Sequence, residues 1–288
     1  MYALRQRNIL QRGRFWQLLQ LSLRYLICVV AAFFVLIPLI TVVIGGFKTN
    51  GELNSTPFAL PRVWHWENYL HVLAEPSFWQ TLGNSGIILL ATVGLLLLVS
   101  CPMAFALSRI RFRGREVLFN VILFGLLFPV QMAMLPLYIM LRNLMLLNSL
   151  LAVILPQVAF AMPTTILILR NFFQAIPQEL EDATYIDGGS TTDFFWRVLL
   201  PLARPSLAVV SMLVMVASWN NFLLPLLVLN DASLWTVTMG VMQFQGEHTT
   251  DLALTLVYIA LAMIPAIVFY LFAERHLISG LTAGAVKG

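Results

Sequence analysis

The sequence predicts an all-α integral membrane protein with six transmembrane helices and both termini cytoplasmic. Three observations predict it. Of the 288 residues, 60% are hydrophobic and only 10% charged, with a mean hydropathy of +0.86, which is more apolar surface than a soluble domain can bury. Six segments stay apolar over the roughly 20 residues that a helix needs to cross hydrocarbon. Finally, the 17 Lys and Arg residues divide unevenly between the two sets of loops, and basic residues near spans stay cytoplasmic.

The spans fall at about 23–47, 79–108, 117–140, 150–170, 205–229 and 251–273. Each must be helical, because lipid offers no partner to a free backbone group. Residues 1–22 form a cytoplasmic N-terminal segment carrying Arg5, Arg7, Arg12 and Arg14, with Arg24 just inside the first span. Basic residues followed by an apolar run resemble a signal peptide superficially. The run over 25–44 is too long for a signal core and lacks a small-x-small cleavage site, so it reads as an uncleaved span.

The segment that follows, about 48–78, holds Pro57, Pro61 and Pro76 with Trp64, Trp66 and Tyr69, which suits a short interfacial excursion. Trp79 stands at the entry to the second span, and Arg109, Arg111, Arg113 and Arg115 crowd its exit. Arg142 lies between spans three and four, on the side that otherwise holds only Lys48 and Arg62. Arg170, Arg197 and Arg204 flank segment 177–201, which is therefore cytoplasmic. The outer loop of about 230–250 contains Trp235, Phe244 and His248, and Arg275 and Lys287 lie in the cytoplasmic tail 274–288.

Several functions are excluded by what the chain lacks. Lys48 and Lys287 are the only lysines, and neither follows a phosphate-binding glycine pattern. His65, His71, His248 and His276 have no paired spacing for a metal. Cys28 and Cys101 sit in spans as small hydrophobes. The net charge of +4 reflects topology and lipid headgroups and calls for no nucleic acid. Prolines 38, 102, 129, 136, 156, 163, 225 and 265 lie within spans, where each removes a backbone donor and favours a kink.

Against this background, Glu179-Leu-Glu-Asp-Ala-Thr-Tyr-Ile-Asp-Gly188 is an acidic island. With Asp193, its acids Glu179, Glu181, Asp182 and Asp187 make five of the chain's 13. Pro177 suits a first helical position, Glu179 places negative charge in the first turn, and Gly188-Gly189 ends the helix. Ser190-Thr-Thr-Asp193 reads as a capping box opening a second helix toward Pro201. A helix, a glycine bend and a helix follow.

The island resembles the EAA loop of ATP-binding-cassette importer permeases: Glu-Ala-Ala, three residues, Gly, nine residues, then Ile-x-Leu-Pro. Asp182, Ala183, Gly188, Val198, Leu200 and Pro201 fall on that spacing, with departures at Asp182, Thr184 and Val198. Phe195-Trp-Arg-Val-Leu-Leu-Pro201, Ser218-Trp-Asn-Asn-Phe-Leu-Leu-Pro225, Ala104-Phe-Ala-Leu-Ser-Arg109 and Gly280-Leu-Thr-Ala-Gly284 are similar to the carbohydrate-importer version. Six spans and a short first external loop resemble the smaller permease of the maltose-type importers. The resemblance covers about residue 20 to the end.

It implies a type I importer permease fold in a bacterial or archaeal cytoplasmic membrane. It also implies a second homologous permease, two copies of a cytoplasmic ATPase and an extracytoplasmic solute-binding protein. No cofactor is expected in this chain, ATP being bound by the partner. Glu179, Glu181, Asp182, Ala183, Asp187, Gly188 and Pro201 are then the expected ATPase-coupling residues. Whether Glu179 or Glu181 shares the contact of the shorter Asp182 is open.

A sugar path needs hydroxyl-pairing amides and aromatic platforms. Trp219 beside Asn220 and Asn221 supplies both, and Gln131 and Asn84 are further candidates; Ser85, Gln157, Thr164, Thr165, Ser211 and Ser218 are the other polar residues considered. No acid or base lies deep in a span, which disfavours a stand-alone secondary transporter. No paired acids or nucleophile motif suggests an intramembrane enzyme. The nearest alternative keeps the importer and changes its cargo to glycerol phosphate or another small polar solute.

Overall fold

The computed structural model describes residues 2–244 and 251–285, with side chains from 20 to 244 and from 251 to 271. His248 and Lys287 lie outside the described residues, as do the side chains of the arginines before residue 20, of Arg275 and His276, and of segment 280–284.

Helix is the only regular secondary structure among the described residues. In order the α-helices are α1 (Tyr2–Gly45), α2 (Asn50–Ser55), α3 (Trp66–Ala74), α4 (Pro76–Arg109), α5 (Arg115–Phe124), α6 (Val130–Asn143), α7 (Leu151–Ala175), α8 (Glu179–Ile186), α9 (Thr191–Asp193), α10 (Leu200–Leu202), α11 (Arg204–Trp219), α12 (Leu223–Val228) and α13 (Leu252–Ala285). Four helical segments can each cross a membrane by length and composition: Gln20–Gly45, Pro76–Arg109, Leu151–Ala175 and Leu252–Leu271. The number becomes six if two bent pairs each count as one span.

The first bent pair departs from an expected continuous span, and the second bends ahead of the expected span 205–229. Segment 117–140 is divided: Arg115–Leu127 and Val130–Asn143 meet at 100°. Pro129 lacks an N–H, and Phe128 before it is held extended at φ −88°, ψ 121°, the conformation that a following proline imposes. Thr191–Leu202 and Arg204–Trp219 meet at 71°. α11 has 16 residues and so reaches about 24 Å, short of a hydrocarbon core of about 30 Å. Its chain pauses at Asn220 and Asn221 before α12. By contrast Pro38, Pro102, Pro136, Pro156, Pro163 and Pro265 are carried inside helices.

Two compact units are distinguishable. The first comprises Met1–Val72 and Gly246–Ala260. In it, the α1 side chains from 20 to 38 are exposed on every side, Phe34 by 82%, a surface suited to lipid and not to water. Lys48 is buried, and its ammonium donates to the carbonyls of Thr56 and Pro57 at 3.0 and 2.9 Å, closing the turn after α2. Phe47 stacks on Tyr69 and meets Trp64 and Trp66 edge-on.

The second unit, Leu73–Gln245 and Leu261–Gly288, is organised by the pairing of α4 with α7. One apolar cluster joins Ile88 and Leu96 of α4 to Val153 and Val158 of α7, Val214 of α11 and Val228 of α12. A second joins Ala104 and Phe105 to Leu169 and Phe173, and includes Phe194, Leu199 and Val210. The second cluster matters for the acidic island, because it seats the segment that follows the island on α4 and α7. Burying side chains such as Phe194 and Phe195 contributes roughly 1.5–3 kcal/mol each relative to exposure to water.

Candidate coupling loop and translocation cleft

The acidic island folds as two helical pieces about a glycine bend. Gln178 caps α8, since its carbonyl accepts the first α-helical bond, from Asp182 N–H. The helix thus begins two residues after Pro177, later than the expected start at Pro177 itself. At the other end Gly188 N–H donates to Tyr185 O and Gly189 N–H to Thr184 O, the paired bonds of a Schellman stop. Gly188 has φ +82°, which glycine adopts without strain. A Cβ on Gly189 would stand 2.9 Å from the Thr184 carbonyl oxygen.

The second piece opens with the expected capping box. Ser190 Oγ accepts from Asp193 N–H at 3.2 Å, and Asp193 Oδ2 accepts from Ser190 N–H at 3.0 Å. The Ser190 hydroxyl and amide hold the Asp193 carboxyl below its ordinary range, with Arg197 contributing. From Phe194 to Leu199 the helix widens to π geometry, and Leu200 N–H reaches Phe195 O. Pro201 cannot donate to Arg197 O, so the regular ladder is already interrupted one residue later.

This geometry divides the expected coupling residues. Glu179, Asp182, Ala183, Asp187, Gly188 and Pro201 are exposed, and Ile186 beside them is exposed by 85%. Glu181 differs: its carboxylate accepts from Tyr185 Oη at 3.0 Å and lies 3.6 Å from the Arg109 guanidinium. It faces the permease body and is unavailable to the outer face of α8. Its signal was absent from the local sequence, because the arginine that holds it is 72 positions away. Tyr185 Oη also meets Thr191 Oγ1 at 3.2 Å, tying the two pieces together.

Within the second unit, residues of α6, α7, α11 and α12 line a cleft of about 300 Å³. The walls are mostly apolar, and the polar lining is Gln157, Thr164, Thr165, Ser218 and Asn221. Two of these carry unmet capacity: Gln157 Nε2 and Ser218 Oγ are buried without a hydrogen-bond partner. Gln157 uses its other atom, Oε1, to accept from Thr92 at 3.4 Å. No acid or base lines the cleft, so its polar contacts are those of neutral amides and hydroxyls.

The expected path residues scatter relative to this cleft. Asn221 lines it, and its Oδ1 accepts from Leu224 N–H. Asn220 is exposed, and its amide turns back to donate to Val216 O at 2.8 Å at the end of α11. Trp219 is no platform: it is buried, edge-on to Phe269 with ring centroids 5.6 Å apart. Asn84 donates to Ser233 O and Trp235 O, fastening an outer loop to α4. Gln131 is exposed in the first turn of α6 and does not line the cleft, although Val130 and Met134 do. Gln157 and Ser218 stand out only once their missing partners are seen.

The described residues thus combine helices long and apolar enough to cross a membrane with an exposed acidic helix stopped by glycine. The chain belongs to the family of binding-protein-dependent transport system inner membrane components, whose family model matches residues 97–281. It is therefore a multi-pass permease subunit of an ATP-binding-cassette importer, working with a separate ATPase and a binding protein. It is 32% identical over 255 residues to the diacetylchitobiose uptake system permease protein NgcG of Streptomyces coelicolor, covering 88% of this chain and 84% of that one. It is 33% identical over 261 residues to the arabinooligosaccharides transport system permease protein AraQ of Halalkalibacterium halodurans, covering 89% and 93%. In fold it is similar to a chain of a bacterial ABC transporter involved in the import of the acidic polysaccharide alginate. That match has a TM-score of 0.78 at 23% identity, over 88% of this chain and 94% of the other.

Proposed function

We propose that this subunit forms half of the path for a carbohydrate, pairing with a second, homologous permease above two copies of the ATPase. The cleft carries the reading. A sugar presents many neutral donors and acceptors, and the cleft offers Gln157, Ser218 and Asn221 within apolar walls. The names of similar proteins agree, since diacetylchitobiose and arabinooligosaccharide permeases are among them. A phosphate ester would need cationic donors, and the cleft lining has none.

In the same reading both termini and α8 are cytoplasmic. Asp182 and Asp187 fix the register of the docked ATPase while Ala183 and Ile186 fill its groove. Closure of the ATPase dimer then displaces α8 and switches the access of the path. The test is uptake into proteoliposomes holding the assembled importer and its binding protein, with a panel of labelled neutral oligosaccharides against labelled glycerol 3-phosphate. The reading expects ATP-dependent uptake of one or more neutral sugars. Uptake of glycerol 3-phosphate with no sugar transported would contradict it.

A further inference from the structure

Two arginines cross between α4 and α7 beneath the coupling loop. Arg109, the last residue of α4, donates to the carbonyls of Phe173 and Ile176 where α7 ends, and faces Glu181 of α8. Arg170, near the end of α7, donates through Nε to Leu107 O of α4 at 3.0 Å and through its other arm to Glu116. Its guanidinium lies 3.9 Å from the centre of the Phe119 ring. Arg109 has 9% of its side chain exposed and Arg170 8%. Each helix thus ends on a cation supplied by the other, where the last carbonyls of a helix lack intrahelical partners and favour positive charge.

We infer that this reciprocal arginine clasp is the mechanical link of the coupling loop. Arg109 is the positioning residue through which a displacement of α8 reaches α4 and α7. Arg109 touches all three helices: the carbonyls of Phe173 and Ile176 at the end of α7, a carboxylate from α8, and its own backbone in α4. A guanidinium suits the task because its planar fork holds several acceptors in fixed directions, whereas an ammonium is a point charge with three donors. The apolar cluster of Phe105, Phe173 and Phe194 lies against the same junction, so the polar link is backed by packing that resists shear. The inference rests on α8 being the element that docks the ATPase.

The test uses the importer assembled with its ATPase in lipid nanodiscs, with Cys28 and Cys101 replaced. Nitroxides at Gln178 and Ile110, both exposed, report the separation of α8 from the end of α4, without nucleotide and with ATP plus vanadate. One narrow separation is expected in both states when Arg109 is intact. Arg109→Gln is expected to shift and broaden it between states while the ATPase still co-purifies, with Arg109→Lys intermediate. An Arg109→Gln complex that keeps one narrow separation in both states overturns the inference. Should that variant fail to assemble, Glu181→Gln decides, because it leaves both carbonyl bonds and removes only the link to α8. A state-dependent separation there supports the clasp, and an unchanged one overturns it. The docking reading fails on different grounds, namely loss of contact between Ile186 and the ATPase.

Discussion

Glu181 and Asp182 are neighbours in sequence and take different faces of α8: Glu181 lies 3.6 Å from Arg109, and Asp182 is exposed. Successive helix positions differ by about 100° around the axis, so one acid can tie the helix to the permease while the next meets a partner. The outward set is Glu179, Asp182 and Asp187, beside exposed Ala183 and Ile186.

Charge reversal at Asp182 should separate the two roles. Asp182→Lys is expected to abolish ATPase co-purification and uptake while the protein still inserts in the membrane. Glu181→Gln is expected to leave co-purification intact. Affinity isolation of the assembled importer checks both.

The glycine bend should tolerate side chains poorly, for two different reasons. Gly188→Leu forces a branched residue into the left-handed region, costing about 1–2 kcal/mol, although the space around it is open. Gly189→Ala keeps an acceptable backbone but sets its Cβ against the Thr184 carbonyl, so the bend itself must shift. Limited proteolysis across 177–201 should show faster cleavage in both, and uptake should fall in both.

The capping box should be insensitive to pH across the physiological range. Asp193 has its carboxyl lowered from an ordinary value of 3.8 by Ser190. The contribution is therefore full above that value and is lost as pH falls through the lower folded value. Hydrogen exchange at the Ser190 amide, corrected for intrinsic rates, should stay constant between about pH 5 and 8. Asp193→Asn should weaken its protection at every pH in that range.

Gln157→Leu should distinguish transport from packing. A buried amide donor without a partner costs about 1–3 kcal/mol, but the substitution also removes the acceptor of the buried Thr92 hydroxyl, so the two effects oppose and thermal stability is expected to change little. Transport should nonetheless fall, with the apparent KM rising. Unaltered uptake kinetics would remove Gln157 from the path.

Parts of this were legible in the sequence for local reasons. Gly188-Gly189 and Ser190 to Asp193 announce a stop and a start because caps are made by residues within a few positions. Six apolar segments announce a helical membrane body because chain length and composition suffice. The break at Pro129 was not legible beside Pro136, which α6 accommodates, since whether a proline kinks or breaks a span depends on what supports the freed groups. Nor were the roles of Asn84 and Trp219. A polar or aromatic residue in a span reveals its chemistry but not its partner, and theirs lie 149 or more and 50 positions away. The vacancies on Gln157 and Ser218 are likewise properties of packing.

The most direct test of the central claim is photocrosslinking from α8 in the assembled importer. Benzoylphenylalanine at Ile186, the most exposed apolar position of the loop, is expected to form an adduct with the ATPase subunit on irradiation. The same residue at Phe194, buried beneath the loop, is expected to form none. An importer that hydrolyses ATP and transports, yet gives no ATPase adduct from Ile186, would contradict the account.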